Sequence, residues 1–230
     1  MSIQVIGNTT GTVLEVDANT SAVHIREGTK DYADGGSYSK ANASGTIAAG
    51  LAANANVYHF RTTSPDVVCV IRRVRISAQN AGTAFAAGVC TFRIFVARDM
   101  TANVTVGNSG TVSSRNAKLK TGFGASKLAV NRYQTANTTA GGVVTIINTG
   151  ALTTVGAVLD TDPIAAITTG VEATAFATIL SDQTLFEAPA GEYGLACAEW
   201  EGFTIQATVP ATGTWVLRVT TEWDEVPYYP

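Results

Sequence analysis

The chain has 230 residues, a net charge of -3 at pH 7 and only 14% Asp, Glu, Lys and Arg. An ordinary soluble domain carries about 25% charged residues, so small uncharged side chains, led by 35 Ala and 33 Thr, cover this surface instead. A hydrophobic content of 46% excludes the disordered class, and no apolar stretch approaches the ~18 residues of a membrane span.

Residues 1–55 read as an N-terminal strand or arm region able to pack on a neighbour, and 56–230 as a sandwich core continuous with it. Thr12 to Val16 and Ala22 to Arg26 are short strand candidates within the arm, followed by Gly35-Gly36 and a small-residue run from Ala41 to Ala55. Its start, Met1-Ser2-Ile3-Gln4-Val5-Ile6, has no basic segment leading an apolar one, so no signal peptide is expected. Val57 to Thr62 is the next strand. Asp66 to Ala78 is apolar on both faces at first and then places Arg73 and Arg75 on one face, as a strand emerging from a core at a rim would. Gly88 to Ala97 alternates, with Cys90, Phe92, Ile94 and Val96 on one side. Residues 99–142 read as a surface excursion whose Arg115, Lys118, Lys120 and Lys127 face solvent.

Gly142 to Asn148, Ala173 to Leu180 and Tyr193 to Ala198 are weaker candidates. Phe203 to Val209 and Thr214 to Trp223 alternate without error, and Pro210-Ala211-Thr212-Gly213 between them predicts a C-terminal hairpin. About ten strands separated by Gly, Asn, Thr and Ser turns predict an all-β antiparallel sandwich with little helix. The three cysteines, Cys69, Cys90 and Cys197, lie in apolar settings and read as buried reduced thiols.

Charge is unevenly placed. Residues 60–135 carry eleven basic and two acidic groups, and 136–230 eleven acidic groups and one basic, Arg218. Either neighbouring strands pair these charges within one fold, or basic and acidic surfaces meet between copies or on a larger assembly. On the second reading Arg72, Arg73 and Arg75 are the candidate protein interface. A net acidic chain is not expected to bind nucleic acid.

Few residues suggest catalysis. His24 and His59 lack companions at metal-ligand spacing. Ser37-Tyr38-Ser39-Lys40 matches S-x-x-K, but without its usual companion motifs. Gly122 to Lys127 lacks phosphate-loop spacing. Asp160 and Asp162 offer two carboxylates to a hard cation, short of a full ligand set. No cofactor or resident metal and no enzymatic activity are expected. Trp215 and Trp223 fall on an apolar strand face, whereas Trp200, between Glu199 and Glu201, reads as an exposed platform on which a glycan could stack.

Glu201-Gly202-Phe203-Thr204-Ile205-Gln206-Ala207-Thr208-Val209-Pro210-Ala211-Thr212-Gly213-Thr214-Trp215, followed by Glu222-Trp223-Asp224-Glu225-Val226, resembles the C-terminal signature of a family of tailed-bacteriophage virion proteins. Gly45 to Leu51 leading to Tyr58-His59-Phe60-Arg61, and Ile71-Arg72-Arg73-Val74, extend the resemblance in the same order. The resemblance implies a jelly-roll-like sandwich mounted on the virion, assembled in the host bacterial cytoplasm. It implies a head decoration (cement) protein that oligomerises, for instance as a trimer, and stabilises the shell. The expected partners are then the major capsid protein and further copies of the chain, with no membrane. The alternative is a tail-fibre or spike module that binds a host glycan through Trp200.

Overall fold

The computed structural model describes residues 5–6, 13–16, 23–25, 36–44, 46–47, 55–62, 64–98, 109–110, 119, 124, 126, 130–132, 135–136, 145–146, 158–173, 178–189 and 194–227. Arg115, Lys118, Lys120 and Lys127 lie outside these, as do most of 99–142 and much of the small-residue run from 41 to 55. Two compact units divide the chain, Met1–Asp34 and Gly35–Pro230. In the first, β1 (Val5–Ile6), β2 (Val13–Val16) and β3 (Val23–Ile25) form an antiparallel sheet in the order β1-β2-β3.

The second unit contains β4 (Gly36–Ala43), β5 (Ala55–Arg61), β6 (Val67–Asn80), β7 (Gly88–Arg98), β8 (Ser109–Gly110), β9 (Val130–Arg132), β10 (Thr135–Ala136), β11 (Thr145–Ile146), β12 (Val158–Leu159), β13 (Ala165–Val171), β14 (Thr178–Glu187), β15 (Leu195–Cys197), β16 (Gly202–Thr208) and β17 (Trp215–Pro227). No helix occurs among the described residues. One sheet runs β14-β6-β17-β4, with β15 also on β6. The other runs β12-β7-β16-β5-β9-β8, with β13 also on β7, while β10 and β11 pair separately.

Every pairing in the two large sheets is antiparallel. The ladder β4 with β17, β5 with β16, β6 with β14 and β7 with β13 is one long ribbon rolled into two packed layers. The resulting order, β14-β6-β17-β4 facing β13-β7-β16-β5, is the jelly roll. The protein is therefore an all-β antiparallel sandwich.

Three local expectations are corrected. The two C-terminal strands form where alternation places them, but not as a hairpin. β16 pairs with β5 and β7, and β17 with β4 and β6. The connection from Val209 to Thr214 is long enough to cross between layers spaced about 10 Å apart. β4 belongs to the sandwich, so this unit starts at Gly35 rather than 56; Tyr38, 1% exposed, anchors the strand in the core. Finally, β6 does not emerge at a rim. It is an interior strand, with Val74, Ile76 and Ala78 buried along its second half.

Aromatic side chains join the layers. Phe60 on β5 meets Trp223 on β17 edge-on at 5.8 Å, and Phe92 on β7 meets Trp215 on β17 at 5.8 Å. Phe60 also stacks on Phe203 at 5.1 Å, and Tyr38 on Trp223 at 5.6 Å. Such pairs add about 0.5–1.5 kcal/mol each beyond the area they bury.

Burial also makes the fold alkali-sensitive. It pushes the Tyr58 phenol up to about 12, against hydrogen bonds to Thr221 and Asn42 that favour ionisation. Burial, followed by the charge of Glu225, pushes Tyr38 up to about 12. Burial takes the Cys90 thiol up to about 11. The unfolded chain releases these protons first, near the ordinary values of 9 for thiols and 10 for phenols, so it binds fewer protons and stability falls as pH rises. The urea midpoint is expected to drop progressively from pH 9 to 11, with a shallower drop in Tyr58→Phe; a flat midpoint over that range contradicts this.

Candidate functional site

The arginines singled out by sequence share the outer face of β6. At Glu222/Trp223 of β17 the β6 register slips by one residue, a bulge that adds Arg72 to the outer face beside Arg73. Carboxylates from both flanking strands meet the three. Arg72 Nη1 lies 3.2 Å from Asp224 Oδ2. Arg73 lies 3.1 Å from Glu222 and 3.8 Å from Glu187, and Arg75 Nη1 lies 2.8 Å from Asp182. On β7, Arg98 reaches Asp160 at 3.5 Å and Glu201 at 3.4 Å.

The sequence-separated charges thus meet because β6 and β7 belong to the basic segment while β14, β17 and the approach to β16 belong to the acidic one. Each exposed pair contributes at most about 1 kcal/mol. Arg72, 62% exposed at its side chain, retains the most free surface of the three.

A second feature emerges from the topology. At one end of the sandwich lie the strand ends joined by four connections, residues 44–54, 81–87, 172–177 and 209–214. Together they hold a single charged residue, Glu172. Where described, they are closely knit. Ala81 N donates to Thr214 O at 2.7 Å, Thr214 N to Thr83 O at 3.0 Å, and Ile47 and Trp215 exchange backbone bonds at 2.7 and 3.0 Å. Ala86 N donates to Thr212 Oγ1 at 2.9 Å.

Gly213, at φ 103°, makes room for the buried Phe85 ring beneath the loop, which a Cβ would strike. Apart from the exposed Glu172, the described surface at this end is small and uncharged, with Thr83, Ala86, Ala87, Ala211 and Thr212 exposed and Val89 58% exposed beside them. Ala, Gly and Pro lose essentially no side-chain entropy on burial. An uncharged surface also avoids the cost of desolvating ions.

At the opposite end, Trp200 occupies the turn between β15 and β16 with φ 67°. It is half-buried rather than an exposed platform. The Arg61 guanidinium carbon lies 4.5 Å from its ring centre, covering one face in a cation–π contact. The turn is held by Trp200 N to Thr62 O at 2.8 Å, Thr62 N to Glu201 O at 2.9 Å, and Ala198 N to the Glu201 carboxylate at 2.9 Å.

The remaining candidates do not assemble a reactive centre. Ser37 and Lys40 fall on β4, where residues three apart point to opposite faces, and Ser37 donates to Asp224 at 2.5 Å. His59 is buried within β5; the side chain of His24 lies outside the described residues. Asp160 is engaged by Arg98, and among the described residues no group of three His, Cys, Asp or Glu is placed to hold a metal. Within 122–127, Gly124 O accepts from Tyr38 Oη at 3.2 Å and Ser126 Oγ donates to Glu225. An open cleft of about 330 Å³ on the outer face is lined by Asn42, Ser77, Asp182, Arg218 and Thr220, with Asp182 already held by Arg75. No family model, no curated protein and no solved structure matches the chain.

Proposed function

We propose that this chain is a non-enzymatic structural component of a bacteriophage particle, a capsid decoration protein that oligomerises and docks on the head shell through its charge-poor loop end. The loop end carries the reading, because burying it against protein removes almost no charge from water and freezes few rotamers. The jelly-roll order adds an analogy of fold, since the architecture recurs in viral capsid domains. The resemblance of 201–226 to a virion family points the same way. The exposed Arg72 is the part of the outer-face ladder available to a neighbouring copy.

Added to particles lacking the protein, Ala87→Asp/Ala211→Asp is expected to occupy them at least about tenfold more weakly, since an unpaired carboxylate buried at a contact costs more than ~1.4 kcal/mol. Its thermal midpoint should stay unchanged, because both positions face solvent. Wild-type occupancy by this variant overturns the docking surface. Because that surface carries a single charged residue, Glu172, occupancy should also survive high salt and the Arg72→Ala/Arg73→Ala/Arg75→Ala change. Loss of binding in either experiment would move the docking surface to the arginine ladder.

A further inference from the structure

We propose that Cys69 and Cys197 form a disulfide site, closing across β6 and β15 when the folded chain meets a small-molecule disulfide such as oxidised glutathione. The two residues are directly opposed in the antiparallel register, Cys197 against Cys69. Directly opposed antiparallel residues have Cα atoms about 4.5–5.5 Å apart and side chains on the same face. That separation lies inside the roughly 4.4–6.8 Å range of disulfides. Both side chains are fully buried, so both point into the interior rather than to solvent.

Gly194 seats β15 closely on its neighbour, because any Cβ there would strike the Ile71 carbonyl. The third cysteine, Cys90, is on the other sheet opposite Thr169, so it does not compete for the pairing. β15 is three residues long and among the described strands pairs with β6 alone. A short strand held on one side opens more readily than the interior strands, and its opening exposes Cys197. Burial, and next the charge of Glu201, pushes the Cys197 thiol up to about 12. The closed native pair is therefore mostly protonated and reacts through that opening.

The exchange is balanced. One cysteine thiolate attacks the small disulfide, breaking its S–S bond and expelling one small thiolate. The second cysteine thiolate attacks the mixed disulfide, forming the Cys69–Cys197 bond and releasing the other. The two protein protons end on the two released thiols. The protein dithiol is oxidised by two electrons, and glutathione disulfide is reduced.

The test is oxidation of the native full chain to equilibrium in a glutathione redox buffer, followed by alkylation, unfolding and a thiol count. Free thiols should fall from the three cysteines to Cys90 alone, and a non-reducing peptide map should join Cys69 to Cys197. The thermal midpoint should rise, and dithiothreitol should reverse the rise. Cys90→Ala should oxidise identically, whereas Cys197→Ala should form no internal bridge. Three thiols remaining, a bridge containing Cys90, or a lowered midpoint on oxidation would overturn the proposal.

Discussion

Trp223→Ala is expected to lower folding stability by about 3–5 kcal/mol, as large aromatic truncations in packed cores do. Trp223 is fully buried and touches both layers. It stacks on Tyr38 and meets Phe60 edge-on at 5.8 Å, while its Nε1 donates to Glu225 at 3.2 Å. Truncation opens a cavity at the seam between the sheets and leaves the buried Glu225 carboxylate short of one donor. Trp223→Phe keeps most of the ring contacts and should lose clearly less. Urea unfolding of the three proteins reads the difference. A loss below about 1 kcal/mol for the alanine variant would mean that the layers do not meet at this ring.

Gly202→Ala, the addition of one methyl group, should cost about 3 kcal/mol, the upper part of the range for overpacking. Gly202 begins β16 between Arg61 of β5 and Ala97 of β7. A Cβ there would collide with the backbone carbonyl of Phe60, which cannot swing aside as a flexible side chain would. Relief requires β5 and β16 to part at the end of their ladder, where Gly202 opposes Arg61. Gly170→Ala is the matched control, since Gly170 on β13 has open space where its Cβ would fall; its stability should be unchanged or slightly higher, because alanine loses less backbone entropy on folding. Equal midpoints for the two variants would contradict the strand pairing described for β16.

Strand existence was legible wherever one face is wholly apolar. Phe203, Ile205 and Ala207 mark β16, and Trp215, Leu217, Val219 and Trp223 mark β17, by alternation alone. Alternation shows which face is buried but not which strand lies alongside, so the two read as a hairpin although they belong to different sheets. β4 was missed because its Ser, Lys and Asn residues hide a core face carried by Tyr38. β13, Ala165–Val171, went unread because it alternates between half-buried and exposed small residues and never becomes strongly apolar.

Charge followed the same division. The basic and acidic segments were countable, but only the order β14-β6-β17 brings Glu187 and Glu222 to Arg73. The charge-poor loop end was invisible for a related reason. Its four connections are dispersed from residue 44 to residue 214, and their shared poverty in charge acquires meaning once the topology gathers them at one end.

On the proposed function, the jelly-roll chain sits on a phage head with its charge-poor loops against the shell. Cryo-electron microscopy of particles assembled from the genome that encodes the chain tests it most directly. Sandwich-shaped density is expected on the outer surface of the head, in symmetric groups, with the loops bearing Thr83, Ala87 and Ala211 at the shell contact. Density confined to the tail, or loops at 81–87 and 209–214 pointing into solvent, would contradict it.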